Sequence, residues 1–190
     1  MIGVIVIAAL LAGAIVHFVG IYNGLVSLRE NIRVAWANLD VLLKQRHDEL
    51  PKLIDTCKRY MQFEQETLEK IMRARASISQ ASASGNVAAV GAAEQQLQAG
   101  IGRLFAVAED YPQLKTDETF KQLQQRIVSL EESIADRREL YNEQVNLNNI
   151  RVNVFPDALI AGRFGFVRAQ LLEFTPSEKS GVDVGSLFRA

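Results

Sequence analysis

The sequence has few of the residues on which catalysis or covalent bracing depends. A single cysteine, Cys57, excludes an intramolecular disulfide. The only histidines are His17 and His47, and no His-Glu-x-x-His motif, paired cysteines or Gly-rich phosphate loop occurs. Strand signals are nearly absent and prolines number only 4. The formal charge is −1 with no basic block. A nucleic-acid partner needs a clustered basic face, which this composition excludes. Residues 1–22 contain no Asp, Glu, Lys or Arg at all.

What remains is helix-forming sequence. The chain has 190 residues, which suits one ordinary domain with a short appendage. Long runs of Ala, Leu, Glu, Gln and Arg favour helix on propensity. From Trp36 a stripe steps by alternating threes and fours through Leu39, Leu43, Arg46, Leu50, Leu53, Cys57, Tyr60, Glu64, Thr67, Ile71, Ala74 and Ile78. That period places one mainly apolar face along a helix over residues 25–79, which needs partner helices along its length. Pro51 removes one backbone hydrogen bond and clashes with the preceding turn. The apolar phase continues across it, so a kink is expected rather than two helices.

The uncharged amino-terminal run is long enough to cross a bilayer as a helix. It has no basic start and no small-x-small site before a soluble beginning, which favours a retained anchor over a removed signal. Arg29 and Arg33 follow the span and no basic side chain precedes it. The positive-inside rule then places the bulk of the chain in the cytoplasm and a short amino terminus outside. His17 is either an interfacial side chain or a functional group within the membrane. Ala8-x-x-x-Ala12 and Ala9-x-x-x-Gly13 are small-residue pairs through which two anchors can pack. Asn23-Gly24 is either a hinge or part of a helix running straight on.

Residues 79–85 read as a small polar turn. A second helix is expected over residues 86–109, with Val90, Ala93, Leu97, Ile101, Leu104 and Ala108 as its stripe. Residues 111–116 break the pattern, and Thr116 to Thr119 carry an amino-terminal cap signal. A third helix over residues 117–149 has Phe120, Leu123, Ile127, Leu130, Ile134, Arg137, Tyr141 and Val145 in phase. Short loops between long helices give an antiparallel up-down-up bundle.

Residues 152–174 are the most aromatic part of the chain, and Pro156 can open a short helix. This segment either caps the bundle or rests on a membrane surface or partner through its Phe residues with Arg163 and Arg168. Residues 176–190 read as a flexible tail, whose Leu187-Phe188-Arg189 end is either loose or a docking motif. The expected fold is all-α: a transmembrane anchor over residues 1–22, an elongated bundle of three long helices with a short C-terminal helical piece over 23–175, and the tail.

No catalytic, cofactor-binding or metal-ligating residue is assigned. Cys57 reads as a small buried core residue rather than a reactive thiol. It is ten residues from His47, roughly 15 Å along one helix at 1.5 Å per residue, too far for a nucleophile–base pair. Arg46, Glu64, Thr67 and Arg137 fall on seams where apolar side chains are expected. Either they reach outward from the seam edge or an Arg–Glu contact is buried between helices and fixes their register. Arg137 opposite Glu64 is the pairing this spacing suggests.

Several stretches together resemble the LemA family: Tyr22-Asn23-Gly24-Leu25-Val26, residues 35–41 (AWANLDV), residues 45–53 (QRHDELPKL), and Lys58-Arg59-Tyr60 with Glu64. Further on, Arg138-x-x-Tyr141-Asn142, Asn149 and Phe155-Pro156 extend the likeness. Lys52 departs from the pattern, where Asn is expected after the proline. The resemblance implies a bacterial inner-membrane protein with one amino-terminal span and a helical body inside, in a family with no established enzymatic activity. The function expected is a membrane-anchored scaffold or adaptor, self-associating or bound to another protein, with no cofactor and no small-molecule substrate. The alternative is a membrane-shaping or envelope-stress protein whose Phe-rich segment touches lipid.

Overall fold

A computed structural model describes residues 1–173. Among these residues the fold is helical throughout, with no strand. The elements are α1 (Ile2–Lys58), α2 (Gln65–Ala83), α3 (Val87–Ala108), α4 (Pro112–Thr116), α5 (Glu118–Arg151) and α6 (Asp157–Phe164). The expected tail, with Leu187-Phe188-Arg189, lies outside the described residues.

α1 is a single helix of 57 residues. It runs without a break through Asn23-Gly24 and through Pro51. Gly24 is not a hinge. A Cβ there would stand 2.5 Å from Nη1 of Arg151, so its missing side chain makes room for a guanidinium.

The first helix does not reach Ser79 as its periodicity suggested. It ends at Lys58, and residues 59–64 form a turn before α2. The backbone N–H groups of Tyr60 and Met61 both donate to the Cys57 carbonyl, which closes the helix end. Met61 is buried, while Phe63 is 93% exposed. The apolar phase resumes in α2 with Thr67, Ile71, Ala74 and Ile78 buried. One stripe thus serves two helices, and no glycine or proline marks the joint.

The chain divides into two compact units. One contains Leu42–Ile134 with Leu172 and Glu173 of the described residues. Its core draws Leu50, Leu53, Ile54 and Cys57 from α1, Leu68 and Ile71 from α2, Leu97, Ile101 and Leu104 from α3, and Phe120 and Ile127 from α5. It is therefore built from four long-helix segments rather than three. α2 and α3 form a helical hairpin across Ser84 and Gly85, and Gly85 takes the left-handed conformation (φ 67°) that its turn requires. Asn86 caps α3, its side chain accepting from the Ala89 N–H at 3.0 Å. All six positions expected on the α3 stripe are buried. At the start of α5 the cap is Asp117, whose carboxylate accepts from the Phe120 N–H, whereas Thr116 donates back to the Pro112 and Gln113 carbonyls.

The other unit contains Met1–Val41 and Ala135–Leu171. Residues 1–20 of α1 are exposed along their whole length. Beyond them Ile21 and Leu25 are buried against Ile160, Ala161 and Phe166. Trp36 meets Tyr141 edge-on, with ring centroids 5.4 Å apart. Pro156 takes the N-cap position of α6, one residue before the place expected of it. Gly165 ends α6 in the left-handed region (φ 72°), and the Phe166 N–H returns to the Ala161 carbonyl at 3.0 Å.

Candidate functional site

The residues with chemical potential are not brought together. Cys57 is fully buried, and burial pushes its thiol up to about 12, so it carries no thiolate at neutral pH. Burial, together with the charges of Arg75 and Arg46, lowers His47 below its ordinary value. Its backbone carbonyl accepts from Arg75 Nε at 2.9 Å. Among the described residues no cluster of His, Cys, Asp and Glu can hold a metal ion.

Polar chemistry concentrates instead at a buried ion cluster. Arg46 of α1 donates through Nη1 to Oε1 of Glu131 on α5 at 2.6 Å, and through Nη2 to Oε2 of Glu94 on α3. Arg46 is 1% exposed and Glu94 is 0% exposed. Arg46 Nε and Glu94 Oε1 are buried without a hydrogen-bond partner. Burial works against the guanidinium's charge, but the two carboxylates outweigh it and hold Arg46 above its usual value. Burial raises the Glu94 carboxyl above the ordinary carboxylate range despite Arg46, and Glu131 adds to the rise. One cation shared by two acids ties three helices together.

The buried Arg–Glu contact between helices therefore exists, but not between the residues its spacing suggested. Arg137 is exposed on α5, and Glu64 accepts at 3.5 Å from Thr67 within its own turn. Glu94 went unnoticed because Ala93, beside it, satisfies the stripe equally well. Val90, Glu94, Leu97, Ile101, Leu104 and Ala108 step by four and three without a fault. A count on that alternative register would have found the charge.

The second polar centre holds a non-helical segment against α5. The Asn149 side chain donates to the Ala169 carbonyl at 3.0 Å and accepts from the Ala169 N–H at 2.8 Å. Asn148 donates to the Val167 carbonyl, and the Tyr141 hydroxyl donates to the Gln170 carbonyl at 2.9 Å. These side chains take the place of a neighbouring strand for residues 167–170.

The third centre lies where the exposed apolar stretch of α1 ends. Phe164 meets Phe18 and Tyr22, with centroid separations of 5.9 and 5.0 Å. Phe166 also meets Tyr22, and the Arg29 guanidinium stands 5.2 Å from the Phe166 ring centroid. Arg151 pairs with Asp157 beside this collar. Phe155 and Leu159 remain 77% and 68% exposed.

Residues 35–185 match the LemA family. The chain belongs to the LemA family. Relatives at 22–25% identity carry a more specific name. It is 25% identical to each of the magnetosome proteins MamQ 1 and MamQ 2 of Paramagnetospirillum magneticum, over an alignment of 194 positions that covers 88% of this chain and 70% of the relative. It is 22% identical to the magnetosome protein MamQ of Magnetospirillum gryphiswaldense, with the same coverage. Family membership agrees with a membrane-associated helical protein. Tyr141 and Asn149, part of the family likeness, prove to be the side chains that strap residues 169 and 170 to α5.

Proposed function

We propose that this LemA-family protein is a non-enzymatic scaffold, held in the bacterial inner membrane by the amino-terminal part of α1. The observation that carries the reading is α1 itself. Residues 2–20 of α1 form an exposed apolar helix, and the same helix passes into the packed body without a joint. An apolar helix exposed over that length, touched by α6 at its last turns, needs an apolar solvent, which a bilayer supplies. The charges after the span favour a cytoplasmic body and a short external amino terminus. Val34 and Val41 on α1, and Leu140 and Leu147 on α5, are exposed apolar side chains at heptad spacing. Val34 and Leu140 line a shared shallow cleft of about 260 Å³ with Asn31, Ala35, Asn38, Arg137 and Gln144. These surfaces suit a helical partner or a second copy.

The test is photo-crosslinking in living cells from residues 34, 41, 140 and 147, with mass identification of the adducts. Adducts to one other membrane protein support an adaptor, and adducts to the chain itself support a homo-oligomer. Intact membranes that yield no protein adduct from any of the four sites overturn the scaffold.

The second reading, a membrane-shaping protein, is favoured by one observation. α6 docks at the end of the apolar stretch with Phe155 and Leu159 facing outward. It predicts that the full-length protein, reconstituted at high density, deforms vesicles visible by electron microscopy. Vesicles that stay round would remove it.

A further inference from the structure

The docking of α6 leaves a cleft of about 430 Å³ beside the span. Each wall is one helical face of four residues at the same spacing. α1 contributes Ala14, His17, Phe18 and Ile21, while Pro156 and α6 residues Leu159, Ile160 and Arg163 form the other wall. The walls are almost wholly apolar, with Arg163 and His17 as the only side chains able to donate to an anion. All of the lining lies in one compact unit.

We infer that this cleft is a binding site for one anionic glycerophospholipid, its acyl chain between the two helical walls and its phosphate at Arg163 and His17. The inference rests on the reading of the amino-terminal stretch as a membrane span. Three observations select this occupant. First, the α1 wall belongs to the last turns of that stretch, at the depth where acyl chains meet headgroups, so lipid is the solvent that surrounds the cleft. Second, the collar is cationic. Residues 17–33 and 151–171 contain Arg29, Arg33, Arg151, Arg163 and Arg168 against two carboxylates, Glu30 and Asp157. Both carboxylates are already paired, Glu30 with Arg33 and Asp157 with Arg151. Arg163 is left facing the cleft as a planar donor suited to a phosphate. Third, Leu159 in the α6 wall is 68% exposed, so the apolar wall is open on its outer side, which favours a chain running on into bulk lipid over a small soluble anion.

The test uses the full-length protein in vesicles of phosphatidylglycerol or of phosphatidylcholine. Each contains a trace of lipid with the same headgroup and a photoreactive diazirine on one acyl chain. Adducts are mapped by peptide mass spectrometry. With phosphatidylglycerol they are expected to concentrate on Ala14, His17, Phe18 and Ile21 and on Pro156, Leu159, Ile160 and Arg163, in excess over Val16 and Val19 on the opposite face of the span. Arg163→Gln should lower the phosphatidylglycerol adducts there about fivefold, the share of one basic side chain at an anionic surface. It should leave the phosphatidylcholine adducts unchanged. Ala14→Phe, which fills the cleft, should remove site labelling in both lipids. Even labelling around the span, with no headgroup preference, overturns the inference, as does Arg163→Gln labelling like the parent. Alkaline extraction of the same vesicles separates the two ideas. Protein retained yet evenly labelled sinks only the lipid site, whereas protein released sinks the span as well.

Discussion

Each of the two compact units has its own internal chemistry. Around Arg46 three helices share one buried cation and two carboxylates, set within an apolar core of Leu, Ile, Met and Phe. Around Asn149 no charged side chain among the described residues is buried. Neutral amides and a phenol hydroxyl hold a stretch of extended chain by its own backbone, beside an aromatic collar. Helices carry their backbone hydrogen bonds within themselves, so what remains to be specified between them is register. A single charge placed in one layer does that at a cost in desolvation. An extended segment without a neighbouring strand leaves its backbone donors and acceptors open, and amide side chains satisfy both. The chemistry of each centre follows from what its backbone leaves undone.

The largest effect should come from removing the shared cation. Arg46→Leu strands Glu94 and Glu131 in a low-dielectric layer and should cost about 3–5 kcal/mol. Chemical denaturation of the full chain in detergent, followed by helical circular dichroism, reads it. Replacing all three residues with apolar ones of similar size should recover most of that loss, because a buried ion group contributes little beyond specificity. A triple variant as weak as Arg46→Leu would break the comparison.

Asn149→Ala should cost about 1–3 kcal/mol, since the Ala169 N–H and carbonyl lose their partner together. Hydrogen exchange is expected to rise at residues 167–170 and to stay unchanged in α2 and α3. Tyr141→Phe removes one hydrogen bond to the Gln170 carbonyl and should cost about 1 kcal/mol, with its edge contact to Trp36 kept.

The gentlest probe is pH. The Glu94 carboxyl is raised in the folded chain, chiefly by burial. As pH falls, the folded state therefore takes up this proton before the unfolded state does. Its stabilising contribution is complete below the ordinary carboxylate value and is lost as pH rises through the raised one. Thermal melts of the parent relative to Glu94→Gln should therefore show a gain for the parent as pH falls from 7.5 toward the ordinary carboxylate range. The lowered His47 works in the opposite direction, but it is present in both chains and cancels. A parent that instead loses stability against the amide variant would mean that Arg46 governs Glu94 more strongly than burial does.

These centres were unequally legible in the sequence. The stripes of α3 and α5 are periodic signals, and they place their helices within a few residues. The turn at residues 59–64 carries no such signal. Its sequence has no breaker, the apolar phase runs across it, and it is fixed by Met61 entering the core and by the Tyr60 hydroxyl donating to Asp117 at 2.8 Å. Both contacts depend on helices far along the chain. Arg46 showed itself as an intruder on an apolar face, but its partners lie 48 and 85 residues away and no spacing rule reaches them. The Phe-rich segment had two readings because its burial depends on which face of α1 receives it. The structure buries Ile160, Ala161 and Phe166 on α1 and leaves Phe155 and Leu159 outward.

The unbroken course of α1 through Asn23 and Gly24 makes the exposed apolar stretch a phased part of the fold rather than a loose appendage. Each residue of an α-helix advances the azimuth by about 100°. The face that carries Ala14, His17, Phe18 and Ile21 is thereby locked in rotation to the face that receives Ile160 and Phe166. One residue inserted between Ile21 and Leu25 would turn the stretch by that angle and part it from α6 while leaving its hydropathy untouched. A foreign helix of equal length and apolarity would match its hydropathy, yet it would serve this fold only if grafted in the correct rotational phase.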